Sequence, residues 1–94
     1  MRTYATEFPD FVLDVVIPEG FHDQSWHNDV CPSFSGRGVR LWIDYKDPEQ
    51  REMMGKRFMM QRENEDGEPQ NEPDDLLLET DDWNEVLAKI ATLL

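Results

Sequence analysis

Apolar residues occupy every second position in two stretches of the chain, 11–17 and 39–45. In the first stretch Val12 and Val16 make the second face fairly apolar too, which suggests a central strand or a covered face. The apolar residues at every second position are Phe11, Leu13, Val15 and Ile17 in the first stretch and Val39, Leu41, Ile43 and Tyr45 in the second. A period of two places alternate side chains on opposite sides of a β-strand. We therefore expect a strand in each stretch. In the strand 39–45 the second face carries Arg40, Trp42 and Asp44.

Two shorter segments, 56–62 and 76–79, continue the β pattern. In the first of them Phe58 and Met60 share one face, and pairing with 39–45 would place Met59 beside Trp42. The competing interpretation, a helix through 53–60, is weakened by Gly55, since glycine disfavours a helix interior.

The C-terminal segment has the periodicity of a helix. Its apolar residues recur at intervals of three and four along one face and are Trp83, Val86, Leu87, Ile90, Ala91 and Leu94. Thr80, Asp81 or Asp82 can cap the first turn, and Glu85 stands three residues after Asp82, as in a capping box. The pattern predicts an amphipathic helix near 82–94 that needs an apolar surface to pack against.

Strands followed by one helix indicate the α+β class. We expect a mostly antiparallel sheet of about four strands, near 11–17, 39–45, 56–62 and 76–79, packed by the C-terminal helix. A length of 94 residues fits one domain spanning 1–94. Residues 1–10 are polar and are interpreted as an N-terminal arm.

Charge is concentrated at the C-terminal end of the chain. The net charge is -12, and residues 63–94 hold Lys89 as their single basic residue. Residues 63–75 contain no apolar side chain, which predicts an acidic, solvated and mobile loop. Such a charge distribution repels nucleic acid and anionic membranes and favours a basic partner.

The N-terminus and the cysteine content indicate a cytoplasmic location. No apolar stretch follows Met1-Arg2-Thr3-Tyr4, so a signal peptide is not expected. The single cysteine, Cys31, excludes an internal disulfide and suits a reducing compartment. No apolar run has the length of about 18–20 residues that a membrane span requires.

The segment 18–38 carries most of the candidate chemistry, because both histidines and the only cysteine lie in it. His22, His27 and Cys31, with Asp23 or Asp29, are residue types that bind zinc, although their spacing matches no common zinc pattern. Thiol catalysis by Cys31 is disfavoured by the acidic neighbours, which raise a thiol pKa. No glycine-rich phosphate loop is present and no cofactor is expected.

The same segment can instead form a recognition surface. Trp26 beside Asn28 and Asp29 combines an aromatic anchor with polar neighbours, as interface centres do. If the helix covers the Leu41 face, then Trp42 and Arg40 lie on the open face, where they are available to a partner. The alternatives are that Trp26 fixes the loop to the sheet and that the arm or the loop covers Trp42.

These features favour a binding protein over an enzyme. The leading hypothesis is a non-catalytic protein-interaction module, of the type of small acidic accessory proteins in bacteria. It would bind a protein partner, with a basic one favoured, but neither nucleic acid nor membrane, and would be a monomer or homodimer. One alternative is an acidic mimic of nucleic acid that inhibits a DNA- or RNA-binding protein. A second is a metal-binding protein or enzyme that uses residues 22–31.

Overall fold

A five-stranded antiparallel sheet and a C-terminal helix form the fold. The computed structural model describes residues 2–52 and 55–93. The strands are β1 (His22–Asp23), β2 (Ser33–Gly36), β3 (Val39–Ile43), β4 (Phe58–Arg62) and β5 (Leu76–Thr80), and each pairs with the next in chain order. The helices are α1 (Tyr4–Glu7) and α2 (Trp83–Ala91), and short 3-10 turns span Pro48–Gln50 and Pro73–Asp75. The α+β class is confirmed.

Three predicted strands and the predicted helix are present. β3 and β4 lie within the predicted segments 39–45 and 56–62, although β3 ends at Ile43, and β5 covers 76–79 and extends by one residue to Thr80. Helix α2 starts after Asp82, whose carboxylate accepts a hydrogen bond from the Asn84 N–H and so caps the first turn. Of the predicted helix, Leu94 lies outside the described residues.

The prediction of a strand at 11–17 was wrong. This segment adopts no regular secondary structure and does not belong to the sheet. Phe11 is buried on the predicted apolar side, whereas Val12 and Val16, whose side chains suggested a covered second face, are 75% and 85% exposed. Leu13, Val15 and Ile17 pack against the core. Hydrophobic alternation reports which side of an extended chain faces the core, and it does not report whether the backbone pairs with a neighbour.

Two strands inside 18–38 were not predicted. β2 and β3 form a tight hairpin through Arg37 and Gly38, whose φ angles are 52° and 79°. Positive φ at both central residues defines the turn that best matches the twist of a two-residue hairpin. Gly36, just before this turn, lies so close to the chain at Gly20 that a Cβ would stand 2.5 Å from the Gly20 carbonyl oxygen.

The hydrophobic core lies on one face of the sheet. Leu41 and Met60 pair across β3 and β4, and both are completely buried in one cluster with Val86 and Ile90 of α2. The predicted helix stripe is therefore shifted, because Leu87 is 39% exposed and Ala91 is also exposed. Trp83 extends the packed side instead, with its ring 5.1 Å from that of Phe58.

The N-terminal ten residues lie against the fold. They contain α1, where the Tyr4 N–H donates a 2.7 Å hydrogen bond to the Asp23 carboxylate, and a buried phenylalanine, Phe8. The expected arm therefore contributes to the core. It does so because Tyr4 and Phe8 supply apolar rings within an otherwise polar segment.

Asp14 links the extended segment to the sheet and gives the fold a pH-dependent contact. The buried Arg57 guanidinium donates hydrogen bonds to both carboxylate oxygens of Asp14, and these bonds lower the pKa of that carboxyl. A carboxyl whose pKa is lower in the folded state stabilises the fold above its unfolded pKa of about 3.9. This stabilisation is lost as the pH falls through the folded value.

We expect Asp14→Asn to be less stable than the wild type at pH 7, because it loses the charged partner of Arg57. The difference should shrink as the pH falls below about 4, where the Asp14 carboxyl of the unfolded wild-type chain begins to be protonated while that of the folded chain stays charged. Urea unfolding at several pH values measures the difference. The control is Asp66→Asn in an exposed turn. A gap between wild type and Asp14→Asn that stays constant down to pH 2 would contradict the assignment.

Candidate functional site

The face of the sheet opposite the core carries a row of side chains that crosses four strands. Trp42 of β3 is in register with Ser33 of β2 and with Met59 of β4, and Met59 is in register with Glu79 of β5. Because side chains alternate along a strand, this row points away from the Leu41 face. The predicted neighbourhood of Trp42 and Met59 is confirmed.

A cleft of about 490 Å³ lies over this row. Trp42 and Met59 contribute its apolar centre, and residues 28–31 form one wall. The lining consists of Asn28, Asp29, Val30, Cys31, Trp42, Asp44, Gly55, Lys56, Arg57, Met59, Gln61, Asn71 and Glu79. Part of the segment 18–38 is therefore the border of a concave surface, and Trp42 is partly buried there.

Hydrogen bonds fix the indole of Trp42. Its N–H donates to the Gln61 side-chain oxygen at 2.7 Å, and the Gln61 amide in turn donates to the Asn71 side-chain oxygen at 3.0 Å. The polar edge of the ring is thus satisfied within the protein. Its apolar surface lines the cleft, which is the arrangement of a preorganised aromatic anchor.

Arg40 lies beside this anchor and is engaged within the protein. Its Nε is 2.8 Å from a Glu63 carboxylate oxygen, its Nη2 donates to the Gly67 carbonyl at 2.9 Å, and its guanidinium lies 5.8 Å from the Trp42 ring centroid. The side chains of Arg40 and Glu63 are only 12% and 5% exposed. Arg40, predicted to contact a partner, instead holds the chain after β4 against the sheet and positions Trp42.

The acidic segment 63–75 contains defined turns. The Asn64 side-chain oxygen accepts hydrogen bonds from the N–H groups of Asp66 and Glu68, both at 2.9 Å. The backbones of Glu63 and Pro69 form an isolated antiparallel β-bridge. Exposed acidic side chains project from this segment, namely Glu65, Asp66, Glu68, Glu72 and Asp74. These acidic side chains are solvated, as expected. The backbone of the segment is held by hydrogen bonds to the Asn64 side chain and from the Arg40 guanidinium.

Acidic groups outnumber free cations around the cleft. Asp29, Asp44 and Glu79 line it, together with Lys56 and Arg57. Both cations are bound by acids outside the lining: Lys56 lies 3.5 Å from the Asp81 carboxylate, and Arg57 pairs with Asp14. In the part of the chain that the structure describes, neither Asp29 nor Glu79 has an ion-pair partner. The cleft therefore carries a negative charge beside an apolar floor.

The pKa values of one partly buried and one buried group at the cleft, Asp44 and Cys31, are raised by desolvation. Burial raises the pKa of the Asp44 carboxyl, so its charged form lacks full solvation. Burial and the nearby Asp44 carboxylate raise the pKa of the Cys31 thiol, which therefore remains protonated. Cys31 contributes an apolar surface to the wall, and thiol catalysis has no support from this geometry.

Trp26 lies outside the cleft lining. Its ring is 4.1 Å from that of His27, and the Arg2 guanidinium lies 4.6 Å from the Trp26 centroid. His27 Nδ1 is 2.9 Å from a Glu7 carboxylate oxygen. Trp26 and its neighbours thus connect the loop to the N-terminal segment, whereas the other predicted recognition residues of this loop, Asn28 and Asp29, line the cleft.

The proposed metal ligands are used separately. His22 is exposed on β1, His27 contacts Glu7, and Cys31 is buried at the cleft wall. Within residues 2–52 and 55–93 no three histidine, cysteine or acidic side chains are gathered so that they could hold a metal ion. The described residues therefore give no support to a metal site at 22–31.

Several residues of the cleft were not predicted from the sequence, and Gln61, Asn71 and Glu79 are among them. Only Glu79 had a usable signal, as a polar residue within an apolar strand.

Comparison of the chain with known protein families, characterised proteins and solved structures gave no match in any of the three. Neither described helix has the length and apolar character needed to cross a membrane.

Proposed function

We propose that the protein is a non-catalytic interaction module that binds a basic segment of a partner protein in the cleft. The observation that carries this proposal is the fixed indole of Trp42 on a concave surface that also holds the carboxylates of Asp29 and Glu79, which have no ion-pair partner among the described residues. Aromatic anchors in concave sites contribute much of the binding energy at interfaces. The net charge of -12 adds a field that attracts a basic partner.

A lysine or arginine side chain of the partner suits this surface best. Its aliphatic stem would pack on Trp42 and Met59, and its charged end would approach the carboxylates at the rim. The poorly solvated Asp44 carboxylate would gain a counter-ion on binding. Asn28 and Asn71 supply amide groups that can bind the partner backbone.

The proposal is tested with a fluorescein-labelled peptide of alternating arginine and glycine residues, titrated with the full chain. We expect Trp42→Ala to weaken binding by about tenfold or more, since a desolvated cation–π contact is worth about 2 kcal/mol. The control is Trp26→Ala, which removes an indole outside the cleft and should change the affinity less than about twofold. Equal losses in the two variants would refute the assignment of the cleft.

A charge-reversal pair separates the cleft from the overall field without removing an aromatic residue. Glu79→Lys and Glu19→Lys change the net charge equally, and both side chains are exposed. Only Glu79 lines the cleft. We expect Glu79→Lys to weaken peptide binding several times more than Glu19→Lys, and equal effects would indicate attraction by net charge alone.

A second candidate function is mimicry of nucleic acid. Its support is the hydrogen-bonded turn that presents Glu65, Asp66 and Glu68, since a mimic needs ordered carboxylates. The variant Glu65→Gln/Asp66→Asn/Glu68→Gln distinguishes the two functions. Loss of peptide binding in this variant, together with normal binding by Trp42→Ala, would favour mimicry over the cleft.

A further inference from the structure

The last strand of the sheet has one unpaired edge. β5 pairs with β4 on one side and is the terminal strand of the sheet, so on its other side no strand of the described chain accompanies it. The five residues of β5 include no proline and no lysine, which are common guards of an edge. Alternate backbone N–H and C=O groups of such an edge are available to another strand.

The surroundings of this edge are strongly acidic. Asp74 and Asp75 precede β5, Glu79 lies within it, and Asp81 and Asp82 follow it. Only Asp75 and Asp81 have ion-pair partners in the described chain, Arg62 and Lys56, each at 3.5 Å. A strand with positively charged side chains is complementary to this edge.

The same charges disfavour a second copy of this chain as the occupant. An antiparallel pair of two β5 strands would bring the acidic residues before β5 in one copy, Asp74 and Asp75, near those after β5 in the other, Asp81 and Asp82, at both ends of the pair. Like charges brought close together disfavour such a pair. The edge therefore fits a basic strand better than it fits itself.

We propose that the partner segment is an extended basic strand that pairs with β5 as a sixth strand of the sheet. This inference rests on the proposed function, because it specifies the segment that the module binds. The partner residue opposite Glu79 would lie on the open face, in the row of Met59 and Trp42. A lysine or arginine there pairs with Glu79 across the strands, and the next open-face residues border the cleft.

The probe is a blocked eight-residue peptide of alternating valine and lysine, compared with two N-methylated forms. One form is methylated at every valine nitrogen and the other at every lysine nitrogen. Since only alternate N–H groups of an added strand face β5, one form should lose affinity by about tenfold or more, while the other binds as the parent does. Hydrogen exchange of residues 76–80 should slow when the parent peptide is bound.

Three results would overturn this inference. If both methylated peptides bind as tightly as the parent, the segment does not bind as a strand. The second result is that the parent peptide fails to bind while the arginine–glycine peptide still binds through Trp42. That result would likewise show that the segment does not bind as a strand, and it would leave the proposed function intact. The third result is that the protein alone shows slow hydrogen exchange in residues 76–80 and sediments as a dimer. That result would identify a second copy of the chain as the occupant of the edge.

Discussion

Replacing Leu41 by alanine is expected to lower the free energy of unfolding by about 3–4 kcal/mol. Leu41 is completely buried, pairs with Phe34 and Met60 on the neighbouring strands, and belongs to one cluster with Val86 of α2. Removing three carbon atoms there leaves a cavity that a paired sheet cannot close. In a domain of this size the loss is a large part of the total stability.

The matched control is Leu87→Ala, which makes the same chemical change on the outer side of α2. Leu87 is 39% exposed, so we expect a loss of less than about 1 kcal/mol. Urea unfolding monitored by tryptophan fluorescence measures both variants. A loss at Leu87 equal to that at Leu41 would mean that α2 packs through the wider stripe that the sequence predicted.

Arg40→Met is expected to lower the free energy of unfolding by about 3 kcal/mol, although it removes a charge from a sheet surface. The reason is Glu63, whose carboxylate is 5% exposed and would remain buried with the Ser35 hydroxyl as its hydrogen-bond donor. The control is Arg62→Met. Arg62 pairs with Asp75 but is 54% exposed, so its loss should be below about 1 kcal/mol.

The ion pair makes a further prediction for the double variant Arg40→Met/Glu63→Met. Removing both charges leaves no lone buried ion, so we expect the double variant to be more stable than Arg40→Met alone. Hydrogen exchange should also become faster in residues 63–70 of Arg40→Met, because Arg40 no longer binds the Gly67 carbonyl. Unchanged exchange in that segment would contradict the role of Arg40 as its anchor.

The sequence predicted which residues face the core better than it predicted which strands pair. In 11–17 the apolar residues at every second position identified the side that faces the core, with Phe11 buried, but Val12 and Val16 are exposed where a covered face was expected, and the segment lies outside the sheet. Pairing depends on where the rest of the backbone runs, and a local period carries no such information. For β3 and β4 the same period succeeded because a strand was available on both sides of each.

The strands β1 and β2 were missed because they are short and rich in serine and aspartate. One signal for them was present: Gly36-Arg37-Gly38 directly before an alternating strand is typical of a tight hairpin. Interpreted as a hairpin, it would have placed Phe34 opposite Leu41, where the structure has it.

The candidate site was predicted in part. The alternation in β3 correctly put Trp42 on the face away from the core, and Asn28 and Asp29 lie beside it in the cleft. Trp26 and Arg40 could not be placed, because their partners Arg2 and Glu63 are distant in sequence and come close only through tertiary structure. Local composition does not distinguish a side chain that is free for a partner from one that is engaged within the fold.

The three tryptophans allow the most direct test, because each reports a different surface: Trp42 the cleft, Trp26 the N-terminal contact and Trp83 the helix side of the core. Their indole N–H signals can be followed separately by NMR while the arginine–glycine peptide is added. We expect the Trp42 signal to shift in proportion to binding and the other two signals to stay in place. A shift of Trp26 or Trp83 with an unmoved Trp42 would contradict it.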